Sequence, residues 1–125
     1  MQVKELMKQP YIVEKDISLV DVARIMSSKG IGSLLLVSNG KIKGIVTESD
    51  LLRNFGKRKR ISQVMSKSII SIVSDESVEE ALELMRDNKI KRLPVVDVKN
   101  KLVGIISMTD IAANLDKIEG DFFFN

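Results

Sequence analysis

Two segments of the chain carry the same chemically capable pattern. Gly44-Ile45-Val46-Thr47-Glu48-Ser49-Asp50 and Gly104-Ile105-Ile106-Ser107-Met108-Thr109-Asp110 each run from an apolar stretch into a hydroxyl residue, with an aspartate three positions later at a helix start. A hydroxyl beside unpaired N–H groups at the opening of a helix suits a phosphate. A carboxylate only accepts hydrogen bonds, which suits the two vicinal hydroxyls of a ribose. In a single copy, capping of the helix is the better explanation of the pattern; two copies in register inside a repeat shift the balance toward a binding role. The missing residue types bound the chemistry further. The chain has no His and no Cys, which removes the commonest general base, the commonest metal ligand, thiolate nucleophiles and disulfides. Glu79, Glu80 and Glu83 fall on the polar side of a helix whose apolar side is Val78, Ala81, Leu82 and Met85. They read as a solvated face, not a catalytic pair. No catalytic residue and no metal site is expected.

The elements that must position the two hydroxyl–aspartate segments form an internal repeat. Val3–Met7 echoes Ile61–Met65, and Asp16-Ile17-Ser18-Leu19 echoes Asp75-Glu76-Ser77-Val78. Met26 matches Met85, Ile31 matches Ile90, Leu34 matches Leu93, Val37 matches Val96 and Asn54 matches Asn114. Within Ser18–Lys29, Leu19, Val22, Ala23 and Met26 fall on one helical face. Ser18 is placed to cap it, with Asp21 at the capping-box position, and Gly30 to end it. The second copy repeats that face at Val78, Ala81, Leu82 and Met85, behind the capping box Ser77-Val78-Glu79-Glu80. Ser33–Val37, Asn39-Gly40 and Ile42–Val46 read as strand, tight turn, strand. Leu93–Val96, a turn over Val98–Lys101 and Leu102–Ile106 are the counterparts. A short helix closes each unit, with apolar faces Leu51, Leu52, Phe55 and Ile111, Ala112, Leu115. The expected unit is β-α-β-β-α, giving a mixed α/β chain of two tandem units packed sheet to sheet with pseudo-twofold symmetry. Boundaries are drawn at 1–56 and 61–116, with 57–60 as connector and 117–125 as tail. The methionines at 7, 26, 65 and 85 recur by repeat position and read as packing residues.

Length and charge agree with this division. At 125 residues, one compact domain is expected, and half-units of about 55 residues are marginal alone. The formal net charge is +3, with twenty basic and seventeen acidic residues. Lys57-Arg58-Lys59-Arg60 holds four of the basic residues, so the rest of the chain is close to neutral. The apolar share of 44% against 30% charged reads as globular. The sequence lacks an apolar run long enough for a membrane span. Met1–Glu5 lacks a signal-peptide pattern, so a cytoplasmic location is expected.

The chain resembles a tandem pair of CBS domains, the modules first named for cystathionine β-synthase. The motifs that carry the likeness are Val64-Met65-Ser66, Ser77–Met85, Lys89–Asp97 and both hydroxyl–aspartate segments. The resemblance spans about residues 1–116. It implies adenosine-type ligands (AMP, ADP, ATP or S-adenosylmethionine) bound in clefts between the repeats, with no other cofactor required. By position, Asp50 and Asp110 would hold ribose hydroxyls, and Thr47 and Ser107 would contact ribose or phosphate. Tyr11, Ile12 and Val13, and Ile69, Ile70 and Ser71, would line adenine pockets. Pro94, with Leu93 and Val95, would form a pocket wall; a proline within a strand marks an edge or bulge. Lys91 and Arg92 are candidate phosphate contacts or solvated surface charge. Repeat one departs from the pattern: Leu35 stands in place of Pro94, and Ile31-Gly32-Ser33 in place of Ile90-Lys91-Arg92. Unequal sites are expected.

These features imply a stand-alone regulatory module that binds an adenosine nucleotide and signals to an effector protein in trans. A homodimer is expected, because similar pairs associate through their helices. Two alternatives remain at this point. One is a dimeric scaffold with vestigial sites. The other is a nucleic-acid binder through Lys57–Arg60, which is disfavoured because Phe55 alone is a poor stacking platform. Phe122-Phe123-Phe124 is a candidate docking tail.

Overall fold

The computed structural model describes residues 1–118; the expectation for Phe122–Phe124 falls outside them. The chain forms two compact units, each with a three-stranded mixed sheet. In one, β1 (Ile12–Val13), β2 (Ser33–Ser38) and β3 (Lys41–Thr47) make a sheet of order β1-β2-β3. It is joined by α1 (Leu19–Lys29), α2 (Glu48–Arg53) and α3 (Ile61–Val64). In the other, β4 (Ile72–Val73), β5 (Arg92–Val96) and β6 (Leu102–Ser107) repeat the order, with α4 (Val78–Asn88) and α5 (Met108–Ala112). The first pair of strands in each sheet is parallel and the second antiparallel. The β-α-β-β-α unit is therefore present twice.

Local chemistry explains the elements. The Ser18 and Ser77 hydroxyls accept from the N–H groups of Asp21 and Glu80 at 3.2 and 3.1 Å, capping α1 and α4. Each helix leaves through a left-handed residue, Gly30 at φ 64° and Lys89 at φ 54°. Asn39 and Gly40, at φ 52° and 73°, supply the two positive dihedrals a tight I′ hairpin turn demands. In the second unit the turn is longer: Asp97 Oδ1 accepts from both Lys99 N and Lys101 N at 2.9 Å.

The units are not contiguous in sequence. Met1–Pro10 belongs with the chain from Ile70 onward, whereas Tyr11–Ile69 forms the other unit. Each repeat thus gives its leading segment to the unit built around the other repeat's sheet. Val3 and Leu6 enter the core of Val78, Ala81, Met85, Leu93, Val95, Ile106 and Ile118. Ile61 enters the core of Leu19, Val22, Met26, Leu34, Leu36 and Val46. Burial of side chains of this size is worth about 1.5–3 kcal/mol each. Two short antiparallel clasps hold each segment. Val3 N donates to Glu76 O and Val78 N to Met1 O; Lys8 and Ile105 exchange both backbone bonds at 2.9 Å. In the other unit, Leu19 N donates to Lys59 O and Ile61 N to Ile17 O, and Ile45 and Ser66 exchange theirs.

A methionine–glycine contact completes each clasp. A Cβ on Gly104 would lie 2.5 Å from Met7 Sδ, and one on Gly44 would press still harder on Met65. Both glycines are buried within strands, and their missing side chains make room for the exchanged segment. The closing helices are shorter than their apolar pattern suggests. α2 ends at Arg53, so only Leu51 packs inward, while Leu52 and Phe55 are 77% and 88% exposed. In α5, Ile111 is buried, whereas Ala112 and Leu115 are exposed.

Candidate functional site

The two hydroxyl–aspartate segments form the same corner in both units. β3 ends at Thr47 and β6 at Ser107, and a one-residue step carries the chain into α2 and α5. Asp50 and Asp110 are the buried charged residues among those described, 8% and 7% exposed. A buried carboxylate must be hydrogen-bonded and charge-compensated, and each of these is. Asp110 Oδ2 accepts from Ser107 N at 2.9 Å and Ser107 Oγ at 2.8 Å, and Asp110 N donates back to Ser107 Oγ at 3.1 Å. Asp50 Oδ2 accepts from Thr47 N at 2.8 Å and Thr47 Oγ1 at 3.2 Å. Asn54 and Asn114 donate through Nδ2 to the carbonyls of Asp50 and Asp110 at 2.8 Å, tying down the far end of each helix.

One oxygen of each aspartate is thus spent on the cap, and the other faces a cation. The cations come from different places. Asp50 Oδ1 meets Arg53 Nη2 at 2.6 Å, three residues along its own helix. Asp110 Oδ1 meets Lys8 Nζ at 3.1 Å, a residue of the exchanged segment. Both cations are long and mostly exposed, 69% and 75%. Position by position, Ser66 occupies the place of Lys8 in the first unit, where no side chain of its length could bridge to Asp50. Ala113 occupies the place of Arg53 in the second. Sequence reading missed both cations. The spacing of Asp50 and Arg53 is a recognisable helix pair; no local signal links Lys8 to Asp110. The early N–H groups of the helices are also largely committed: Glu48 N donates to Gly32 O and Met108 N to Lys91 O. They are less open to phosphate than the sequence pattern implied.

The remaining candidates divide between the units. Arg92 pairs across the sheet with Ser107, which places its side chain beside the second corner. Lys91 is exposed, and its carbonyl fixes the start of α5. Leu93 and Val95 are fully buried core residues, so strand alternation turns Pro94 to the opposite face. Of that trio, Pro94 alone lies outside the core cluster, and it too is buried. Its place in the sheet has a measurable effect. In the first unit, Leu35 N donates to Tyr11 O at 3.1 Å. Pro94 has no N–H, and β4 pairs with β5 from Ile72–Val95 onward. The bond that Leu35 makes to Tyr11 therefore has no counterpart from Pro94 to the equivalent carbonyl, that of Ile70. Ser71 follows it into β4, while Ile69 closes the other unit. Tyr11 and Ile12 are exposed at the start of β1, with Lys29 Nζ 5.9 Å from the Tyr11 ring, and Val13 packs against the core.

The basic run does more than present charge. Arg60 Nη1 donates to Asp16 O at 2.7 Å, and Ser62 donates to the Asp16 carboxylate through N at 2.9 Å and Oγ at 2.5 Å. The Ser62 bonds hold the Asp16 carboxyl below its usual range. The end of the run is thereby anchored to the chain ahead of α1. Among the described residues, no group of three or more His, Cys, Asp or Glu converges to hold a metal ion. No described helix is long and apolar enough to cross a membrane.

Comparison with known proteins places this geometry. The chain is 36% identical over 118 residues to inosine-5′-monophosphate dehydrogenase of Methanocaldococcus jannaschii, covering 88% of this chain but about a quarter (24%) of that protein. Among solved structures it is similar to the CBS domain pair of protein MJ0100 in complex with 5′-methylthioadenosine and S-adenosyl-L-methionine. That match has 29% identity and a TM-score of 0.85, over 94% of this chain and 97% of the other. It is also similar to the cytosolic domain of the Mg2+ channel MgtE in complex with ATP, at 26% identity and a TM-score of 0.74, over 90% of this chain and 48% of that one. The CBS domain model matches twice, over residues 3–57 and 61–117, so each copy of the corner falls within its own match, and the chain belongs to the CBS domain family.

Proposed function

We propose that the chain is a regulatory module that binds an adenosine-type ligand at its hydroxyl–aspartate corners and passes occupancy to an effector protein. The observation that carries this reading is the disposition of Asp50 and Asp110. Each is buried and oriented by its cap, with a second oxygen held by an exposed, movable cation. Such an oxygen can exchange its cation for a ribose hydroxyl without breaking the corner. The adenosine ligands of the MJ0100 pair and of the MgtE domain support the ligand class. AMP, ADP, ATP and S-adenosylmethionine are the candidates, with no further cofactor. The second corner is the better equipped of the two. It has Arg92 opposite Ser107 and an Ile70 carbonyl that Pro94 cannot bond, which suits the exocyclic amine of adenine. Ligand binding shifts the partner only if the partner distinguishes the two states.

The module acts as a homodimer in this reading. Val20 and Phe55 expose apolar surface along a groove between α1 and α2, beside Ala23 and Leu51. A second copy of the chain would cover it. The setting is cytoplasmic, and the module regulates without performing catalysis. Calorimetric titration of nucleotide-free protein with AMP, ATP and S-adenosylmethionine tests the proposal. Binding that weakens at least tenfold in Asp110→Ala is expected. Absence of heat with all three ligands in folded protein would overturn the ligand reading. Unchanged affinity in Asp110→Ala would remove Asp110 from the site.

A further inference from the structure

We infer that Lys8 reads the charge of the ligand at the second corner, leaving Asp110 when a ribose takes its Oδ1 and turning to the ligand's 5′-phosphate. This rests on the ribose role proposed for Asp110 and adds a specificity-determining residue to it. Four observations carry it. Oδ2 of Asp110 is committed to Ser107 N and Oγ, so Oδ1 is the oxygen a ribose must use, and Lys8 Nζ stands on it at 3.1 Å. The backbone of Lys8 is fixed by its two bonds to Ile105, so the ammonium stays within reach of the corner when it lets go of Asp110. Its side chain is 75% exposed, so nothing packed around it opposes the swing. The first corner has Ser66 in the equivalent place, and its carboxylate is held by Arg53 instead.

The consequence is a ligand preference. An uncharged adenosine displaces Lys8 from Asp110 and offers it nothing in return. A nucleotide supplies a phosphate, and a charge-assisted contact replaces the lost ion pair. The second corner should therefore favour AMP over adenosine through Lys8.

The test is a titration with adenosine and with AMP, in an Asp50→Asn background so that only the Asp110 corner reports. The expected result for Lys8→Met is adenosine bound about threefold more tightly, since an exposed ion pair no longer has to be broken. AMP should bind more weakly, so that its advantage over adenosine falls by about tenfold. Lys8→Arg should keep most of that advantage. An AMP-to-adenosine ratio unchanged in Lys8→Met would overturn the inference while leaving the adenosine reading in place. Binding present in the unsubstituted protein but lost with Asp50→Asn would also overturn it, by placing the ligand at the other corner. No binding of either ligand to any of the proteins would overturn Lys8's role, and the proposed function falls with it only where ATP and S-adenosylmethionine also give no heat.

Discussion

Replacing Gly104 by alanine should destabilise the protein through Met7, and removing the Met7 side chain should rescue much of the loss. Gly104 is absent from the positive-φ residues, so alanine is allowed there. Stiffening the unfolded chain would by itself favour the fold by about 0.4–1 kcal/mol. Against this, the new Cβ would lie 2.5 Å from Met7 Sδ, 2.9 Å from Cγ and 3.1 Å from Cβ. The thioether can swing away, but Cβ moves only with the backbone, and Lys8 beside it is bonded to Ile105 in both directions. Overpacking of this kind costs about 1–3 kcal/mol, so the net loss should be about 1–2 kcal/mol. Met7 is half-buried, and Met7→Ala should cost about 1–2 kcal/mol, below the range for fully buried methionine. In the double variant the clash is gone, so the two losses should fall short of additivity by about 1 kcal/mol or more. Urea denaturation of the four proteins measures this coupling. Strict additivity would show that Met7 does not pack on Gly104, and the assignment of the leading segment to the second unit would fall with it.

Further expectations follow from single contacts. Lys89→Gly relieves a left-handed lysine at the end of α4 and should stabilise by about 1 kcal/mol in thermal or urea denaturation. The Ser62 bonds depress the folded-state pKa of Asp16. Their stabilisation is therefore present above the unfolded aspartate value, about 3.9, and is lost as pH falls through the lower folded value. Ser62→Ala should accordingly destabilise at neutral pH and converge with the parent protein in strong acid; a gap that stays constant across that range would count against the pair. Pro94→Leu restores the N–H that Leu35 uses in the first unit. It should extend the β4–β5 ladder toward Ile70, seen as slow amide exchange at position 94, and weaken adenosine-type binding if the Ile70 carbonyl holds the base.

Much of the fold was legible because its signals are local. Serine caps, the Asn39-Gly40 turn and the apolar face of Ser18–Lys29 each involve residues within one or two turns of chain. The doubled hydroxyl–aspartate segment was legible as a corner, since its cap bonds span three residues. The exchange of leading segments was not. Val3–Met7 and Ile61–Met65 look alike because they do the same work, and their likeness carries no information about which sheet each one serves. The short reach of α2 was also hidden. Leu51, Leu52 and Phe55 suggested one apolar face, but a six-residue helix cannot bring all three to one core. Pro94 was legible as an irregularity, while its effect on the Ile70 carbonyl required the register of β4 against β5.

The exchange also explains how a duplicated motif can diverge without changing its own residues. Each corner buries a carboxylate, and a buried charge needs a counter-charge. In the first unit the cation is Arg53, carried on the same short helix as Asp50, so it moves with the corner. In the second the helix offers Ala113, and the need is met by Lys8, on a segment from the other end of the chain. Anything that takes Oδ1 of Asp110 must therefore loosen a contact of that segment, whereas the same event at Asp50 releases only a neighbouring side chain. The Val3 and Leu6 side chains keep the segment in place when Lys8 lets go, because an exposed ion pair is worth about 1 kcal/mol or less against about 1.5–3 kcal/mol for each buried side chain. Under the proposed function, occupancy of the second corner would alter the charge presented along Lys8 without unfolding the clasp. A change of that size suits a surface read by a partner better than one that drives a large rearrangement.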